Sequence, residues 1–153
     1  MSDTNKDRSG CVMAEWNWPG ARWWRFDFHA HTPASNDYGK GPDQEVIKRR
    51  TPEDWLLDYM RAGIDCVAVT DHNSGAWIDL LNESLRKLES IGHPEFRPLY
   101  LFPGVEISVN GGIHILAILG IQKTTPDIDS LLGAVGYRGT KGKSDDCTEK
   151  SPV

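Results

Sequence analysis

The fold of this 153-residue chain is decided by the stretch IDCVAVTDH at residues 64–72. Its first seven residues are nearly all apolar, which is typical of a strand that is covered on both faces of a parallel sheet. Asp71 and His72 follow this strand at its carboxyl end, where parallel α/β folds gather their functional side chains. The stretch therefore predicts a buried strand that carries polar side chains to one edge of a sheet.

Strand and helix patterns alternate on both sides of this stretch. The predicted strands are residues 24–28 (ending at His29), 64–70, 99–109 (broken at Pro103-Gly104) and 112–120. One helix is predicted to begin at Thr51-Pro52 and to end at Gly63, and a second to begin at Asn73 or Ser74. The order β-α-β-α-β-β favours an α/β fold with a largely parallel sheet.

Composition and charge exclude several classes of protein. Apolar residues make up 39% of the chain, enough for a packed core. The net charge of −5 argues against a general nucleic-acid coat and against binding to anionic membranes. The three cysteines are far apart and odd in number, which argues against a disulfide framework and a cysteine zinc site. Because neither a signal peptide nor a membrane span is apparent, we expect a cytoplasmic protein.

Two histidines mark the end of the first predicted strand. His29 and His31 are two positions apart, so strand alternation puts both imidazoles on one face. Two such imidazoles can bind one metal ion, although a pair of hydrogen-bonded histidines is an equally good interpretation of this motif alone.

The later strands each carry one polar residue among apolar neighbours. Glu106 lies between Val105 and Ile107, where burial is costly unless the carboxylate is paired or bound to metal. A solvent-facing Glu106 on an edge strand, and a His114 that is merely hydrogen-bonded in the core, are the alternatives. Four successive strands with metal-competent residues together favour a metal site of nitrogen and oxygen ligands. His93 lies in a turn after a helix and is excluded.

These motifs resemble a known family. FHAHT at residues 28–32, VTDH at 69–72, and PGVEIS at 103–108 with GIHIL at 112–116 resemble the first three motifs of the polymerase and histidinol phosphatase (PHP) family. The resemblance covers residues 24–120. The segment before His29 and the loop at residues 37–39 resemble most the PHP domains that precede a large ATPase region of the AAA or SMC type.

The resemblance implies a distorted (β/α)7, TIM-like barrel, of which this chain holds about the first four strands. It implies a metal-dependent phosphoesterase that hydrolyses phosphate monoesters or diesters of small molecules, nucleotides or nucleic acids. The cofactors implied are divalent ions, Mn, Zn, Fe or Mg, up to three in a complete domain. An ATPase domain or subunit is the partner implied for the full-length protein.

The resemblance also implies roles for individual residues. His29 and His31 are expected to bind the first metal, Glu106 to bridge the first and second metals, and His114 to bind the second. Glu106 is therefore expected to be catalytic as well as a ligand.

A third metal is expected at His72, with Asp37 as its partner. Asp71 is expected to act in catalysis, either as a ligand or by orienting one.

The chain departs from the family after its fourth strand. The family adds another histidine and a final Asp-x-His motif, whereas no histidine follows His114. We therefore expect residues 1–20 to be a polar, Trp-rich tail, 21–122 the N-terminal part of a PHP domain, and 123–153 a loop and truncated tail. Little turnover and a tendency to oligomerise are expected of this chain by itself.

Two other functions remain open. One is a non-catalytic fragment or metal-binding module that contacts a partner of a larger ATPase system through its Trp-rich N-terminus. The other is an amidohydrolase, which also has an HxH motif on its first barrel strand. An amidohydrolase normally has a metal-bridging lysine on a middle strand, and Glu106 takes that place here.

Overall fold

A four-stranded mixed sheet is the centre of the fold in a computed structural model, which describes residue 21 and residues 23–145. The strands are β1 (Phe26–Ala30), β2 (Cys66–Val69), β3 (Tyr100–Val109) and β4 (Ile113–Ile118). The helices are α1 (Gln44–Ile47), α2 (Pro52–Arg61), α3 (Ile78–Ser90) and α4 (Thr125–Ala134). The sheet order is β1-β2-β3-β4; the first three strands are parallel, and β4 is antiparallel to β3. The predicted mixed α/β class is confirmed.

Strand β3 is longer than its parallel neighbour β2, so it pairs with β2 and with β4 along different parts of its length. Only its first four residues pair with β2, whereas residues 104–109 pair with β4. The predicted break at Pro103-Gly104 is wrong, because β3 runs through both residues. Gly104 allows β3 and β4 to approach each other closely, since a Cβ at this position would lie 2.8 Å from the Ala117 carbonyl oxygen. The second half of β3 thus extends beyond the end of β2.

Helix α2 begins where the sequence predicts. Thr51 accepts a hydrogen bond from the Asp54 N–H at 3.1 Å, and the Asp54 carboxylate accepts one from the Thr51 N–H at 3.3 Å. This capping box satisfies two backbone groups that the first turn leaves unpaired. The apolar side chains of α2 and α3 pack with β1, β2 and the start of β3 in one core cluster.

Helix α3 begins later than predicted. Its N-cap is Trp77, not Asn73 or Ser74. Asn73 instead adopts a positive φ of 48° and exchanges hydrogen bonds with Ser108 of β3: its Nδ2 donates to the Ser108 Oγ at 3.1 Å and its Oδ1 accepts from the Ser108 N–H at 3.0 Å. Asparagine tolerates this conformation better than most residues. Asn73 therefore ties the end of β2 to β3.

The prediction of a loop at residues 123–153 is wrong for α4. Thr124 and Asp127 form a second capping box, and Pro126 occupies the first turn. Ile128 and Leu132 of this helix are buried in a second core cluster with Val105 and other side chains. The sequence contains this capping motif, but too few apolar residues recur at helical spacing in the segment to predict its ten-residue helix.

The N-terminal segment is only partly described. Residues 1–20, with Trp16 and Trp18, lie outside the described residues. Trp23 is 99% exposed, whereas Trp24 contacts Tyr100 edge-on with ring centroids 5.5 Å apart. Among the helices of residues 23–145, none is long and apolar enough to cross a membrane.

The outer edge of the sheet is apolar. Ile113, Ile115, Leu116 and Ile118 of β4 are all exposed. Because the Leu119 N–H donates to the Pro103 carbonyl at 2.7 Å, alternation directs the backbone groups of His114, Leu116 and Ile118 away from β3. Such an edge is a template for pairing with another strand.

Two adjacent leucines of α3 test the core. Leu81 is fully buried and Leu80 is 48% exposed. Replacing each with alanine therefore removes the same atoms from a buried site and from an exposed one. We expect Leu81→Ala to lower the free energy of unfolding by roughly 2 to 5 kcal/mol and Leu80→Ala by about 0.5 kcal/mol. Urea titration followed by circular dichroism measures both. Equal losses would show that α3 does not pack as described.

A charge on β4 tests the exposed edge. We expect the wild-type chain to self-associate in light scattering, and Ile115→Lys to shift it towards monomer because an edge lysine opposes strand pairing. Val46→Lys, at an exposed position of α1, is the matched control and should leave the association unchanged. A monomeric wild-type chain at high concentration contradicts the prediction.

Candidate metal centre

The centre is built around a buried carboxylate. Glu106 is only 5% exposed, in the half of β3 that extends beyond β2. Its neighbours Val105 and Ile107 enter the core cluster beneath α4, and strand alternation turns Glu106 to the opposite face. A carboxylate in this position requires partners, since burial of an unpaired charge costs several kcal/mol.

Four imidazoles surround this carboxylate. The Glu106 Oε2 lies 2.8 Å from the His29 Nε2, 3.3 Å from the His31 Nε2 and 3.3 Å from the His72 Nδ1. The Glu106 Oε1 lies 2.8 Å from the His114 Nδ1. The one carboxylate therefore connects histidines from or next to β1, β2 and β4.

The sheet brings these residues together in two ways. His29 and His31 lie at the end of β1, next to an irregularity in its pairing with β2 between Asp27 and Ala30. His72 follows β2 and forms an isolated bridge with Glu106. Two of the candidate ligands do not lie at the carboxyl end of a strand. Glu106 lies inside β3, and His114 lies at the start of β4, because the antiparallel return of β4 brings its first residues beside the end of β3.

Two three-residue groups have the geometry to hold a metal ion. They are His29, His31 and Glu106, and His72, Glu106 and His114, each with ligand atoms within 4.8 Å of one another. Imidazole nitrogens and a carboxylate oxygen suit zinc, manganese and iron. Glu106 belongs to both groups, as expected of a bridging ligand.

One buried nitrogen supports this interpretation. The His72 Nδ1 has no hydrogen-bond partner among residues 23–145. It lies 3.3 Å from the Glu106 Oε2, but this contact lacks hydrogen-bond geometry, so we treat it as proximity of two acceptors. An unsatisfied buried polar atom costs about 1 to 3 kcal/mol. A metal ion between nitrogen and carboxylate removes that cost, so the residues present fit a metal.

Asp71 belongs to neither of the two three-residue groups that could hold a metal ion. It is buried and accepts hydrogen bonds from the Thr32 N–H at 2.6 Å, the Thr32 hydroxyl at 2.6 Å and the Ser35 hydroxyl at 2.8 Å. Burial raises the pKa of the Asp71 carboxyl to about 6, against the opposing effect of the Thr32 and Ser35 hydrogen bonds. This position suits an orienting role; a direct catalytic role for Asp71 stays a prediction.

Asp37 approaches the centre from its exposed side. Its Oδ2 lies 3.3 Å from the His72 Nε2, on the other side of the ring from Glu106. A neutral imidazole has one lone pair, so His72 can bind a metal either beside Glu106 or beside Asp37. The expected third metal at His72 and Asp37 therefore stays a prediction.

Burial controls protonation at His31. Burial of the ring lowers the pKa of His31, the neighbouring His72 lowers it further, and Glu106 raises it. A lowered pKa keeps the imidazole neutral, and so able to bind metal, to a lower pH than an exposed histidine.

Several residues of the centre were not predicted from the sequence. Thr32 and Ser35 were given no role in the predicted site, yet both are buried and hydrogen-bonded to Asp71. The backbone of residues 142–143 also reaches the centre, where the Gly142 N–H donates to the His72 carbonyl at 2.8 Å. The sequence HTPAS at residues 31–35 contains the hydroxyls, but their partner is 36 residues or more away.

Metal affinity should depend on pH. We expect manganese or zinc to bind at about pH 7.5 and to bind roughly tenfold or more weakly at about pH 5.5, below the reference imidazole pKa. Metal affinity falls as the pH falls because protonation of an imidazole removes the lone pair that binds the metal. Isothermal titration calorimetry at the two pH values measures the change. His93→Ala, outside the centre, should bind as the wild type does, and equal affinity at both pH values refutes the prediction.

Comparison with known proteins adds no relative. No family model matches the chain, and no curated protein matches it. The residues of the cluster and their geometry are therefore what support a metal centre.

Proposed function

We propose that this centre binds divalent metal ions and hydrolyses phosphoesters with a metal-activated water, as a PHP-type phosphohydrolase. The observation that carries the proposal is the single buried carboxylate of Glu106 in contact with four imidazoles. A histidine-rich centre with one shared carboxylate suits two ions close together, an arrangement used for phosphoester hydrolysis.

The sheet is compatible with this proposal. Its four strands lie in sequence order, and the first three are parallel, as at the start of a barrel. We propose that they correspond to the first four strands of a distorted (β/α)7 barrel. The motifs that resemble the PHP family are the ones that contribute His29, His31, His72, Glu106 and His114.

The chain's own residues have distinct tasks in this scheme. A bound divalent ion polarises a phosphoryl oxygen and lowers the pKa of bound water towards neutrality. Glu106 supplies an anionic oxygen to each of the two groups, and the histidines supply neutral nitrogens. Asp71 holds the Thr32 and Ser35 hydroxyls behind them. A protein nucleophile is not required.

A cleft beside the centre is lined by charges of both signs. It has a volume of about 270 Å³, and its charged lining residues are Asp37, Lys40, Lys143 and Asp145. Two other cations close in sequence to Lys40 have partners of their own. Lys48 donates to the Asn36 carbonyl, and Arg50 pairs with Asp58. We therefore propose a phosphorylated small molecule or nucleotide as substrate, with Lys40 and Lys143 near its phosphate.

An amidohydrolase is the weaker proposal. None of the strands β1 to β4 contains a lysine that could bridge two metals. Glu106 occupies the bridging position instead. A non-catalytic metal-binding module is the stronger alternative, since it requires the same geometry without turnover.

Activity assays separate these functions. We expect weak hydrolysis of a chromogenic phosphodiester or phosphomonoester that requires added manganese, and a loss of 10²-fold or more in Glu106→Gln. His93→Ala is the matched control, because His93 is a half-buried residue in the turn after α3, outside the centre, and its replacement should keep wild-type activity.

The outcomes point in different directions. Metal binding without turnover, at any manganese concentration, favours the non-catalytic module. Turnover that persists in Glu106→Gln or in a chelator contradicts the metal-centred proposal. Hydrolysis of an amide or a cyclic imide in place of a phosphoester favours the amidohydrolase.

A further inference from the structure

A single buried hydroxyl lies between the two groups of metal-competent residues. Ser35 is fully buried, in the turn after His31, where its N–H donates to the Thr32 carbonyl at 3.0 Å. Its Oγ lies 2.8 Å from the Asp71 Oδ1, 3.1 Å from the His72 backbone nitrogen and 3.1 Å from the His31 Nδ1. All three contacts are within hydrogen-bond distance.

The proton count at this hydroxyl leaves one arrangement. A serine hydroxyl donates one hydrogen bond and accepts two. The Asp71 carboxylate accepts, so it takes the single Ser35 proton. The His72 backbone N–H donates, so it takes one lone pair. The second lone pair is left for the His31 Nδ1, which must therefore carry its own proton.

The orientation of Asp71 supports this assignment. Its Oδ1 already accepts the Thr32 N–H, and its Oδ2 accepts the Thr32 hydroxyl. These donors hold the carboxylate with an acceptor towards Ser35. The His31 Nδ1 lies 4.0 Å from the Asp71 Oδ1, too far for a direct hydrogen bond. Asp71 therefore acts on His31 through Ser35.

We propose that Ser35 is a positioning residue that holds His31 as the Nδ1–H tautomer, so that the Nε2 lone pair is directed at the metal site beside Glu106. The Nε2 lies 3.3 Å from the Glu106 Oε2, on the side of the ring opposite Ser35. This inference depends on the proposed metal binding for its function. The tautomer itself is a property of the metal-free chain.

The same hydroxyl also anchors the second histidine group. By accepting the His72 N–H, Ser35 ties the end of β2 to the loop after β1. One side chain thereby sets the separation of His31 and His72, whose ring centroids are 4.6 Å apart. Loss of the hydroxyl should disturb ligands of both groups.

Histidine NMR tests the tautomer directly. Long-range ¹H–¹⁵N spectra of the metal-free wild-type chain at about pH 8, where imidazoles are neutral, distinguish protonated from bare ring nitrogens. We expect a protonated Nδ1 and a bare Nε2 in His31. Ser35→Ala should show a mixture of tautomers and bind zinc roughly 10 to 100-fold more weakly, the usual effect of losing a group that orients a ligand. Ser35→Thr keeps the hydroxyl and should restore both.

The outcomes separate the two proposals. A protonated Nε2 in wild-type His31 overturns the role of Ser35, whether or not the variants fold. An unchanged tautomer and unchanged zinc affinity in a folded Ser35→Ala overturn it as well. If the wild-type chain has the expected tautomer but binds neither zinc nor manganese, the proposed function fails while the Ser35 hydrogen bond is supported.

Discussion

Burial of the Glu106 carboxylate is the constraint on which the rest of the site depends. A charge in this position cannot persist without close partners, and four imidazoles surround it. Those partners come from three strands that are remote in sequence, so their positions follow from the pairing of the sheet. The extension of β3 beyond β2 puts Glu106 level with His72, and the antiparallel return of β4 adds His114.

Buried hydrogen bonds among the residues next to the histidines hold this cluster in place. Asp71 holds Thr32 and Ser35, and Asn73 joins the end of β2 to Ser108 of β3. Each group has its hydrogen bonds made within the protein, which lets these residues be buried without the cost of unsatisfied polar atoms. The buried His72 Nδ1, by contrast, has no hydrogen-bond partner within the part of the chain that the structure describes. Hydrogen-bonded residues that orient the ligands, and a nitrogen left available for an ion, fit a metal centre.

Burial favours a neutral imidazole at His31. Burial of the ring, and then the neighbouring His72, lower the pKa of His31. Neutral nitrogens are the form that binds metal. The exposed apolar edge of β4 lies on the same strand as His114.

The sequence by itself determined the elements whose causes are local. The apolar run of β2, the capping box of α2 and the alternation of His29 and His31 follow from residues within a few positions of one another. Tertiary structure decided the rest. The continuity of β3 through Pro103, the later start of α3, and the burial of Ser35 against Asp71 depend on partners 16 or more residues away. Local patterns named most of the candidate ligands, but only the packing of the sheet could bring their nitrogens to one carboxylate, because strand register is set by long-range pairing.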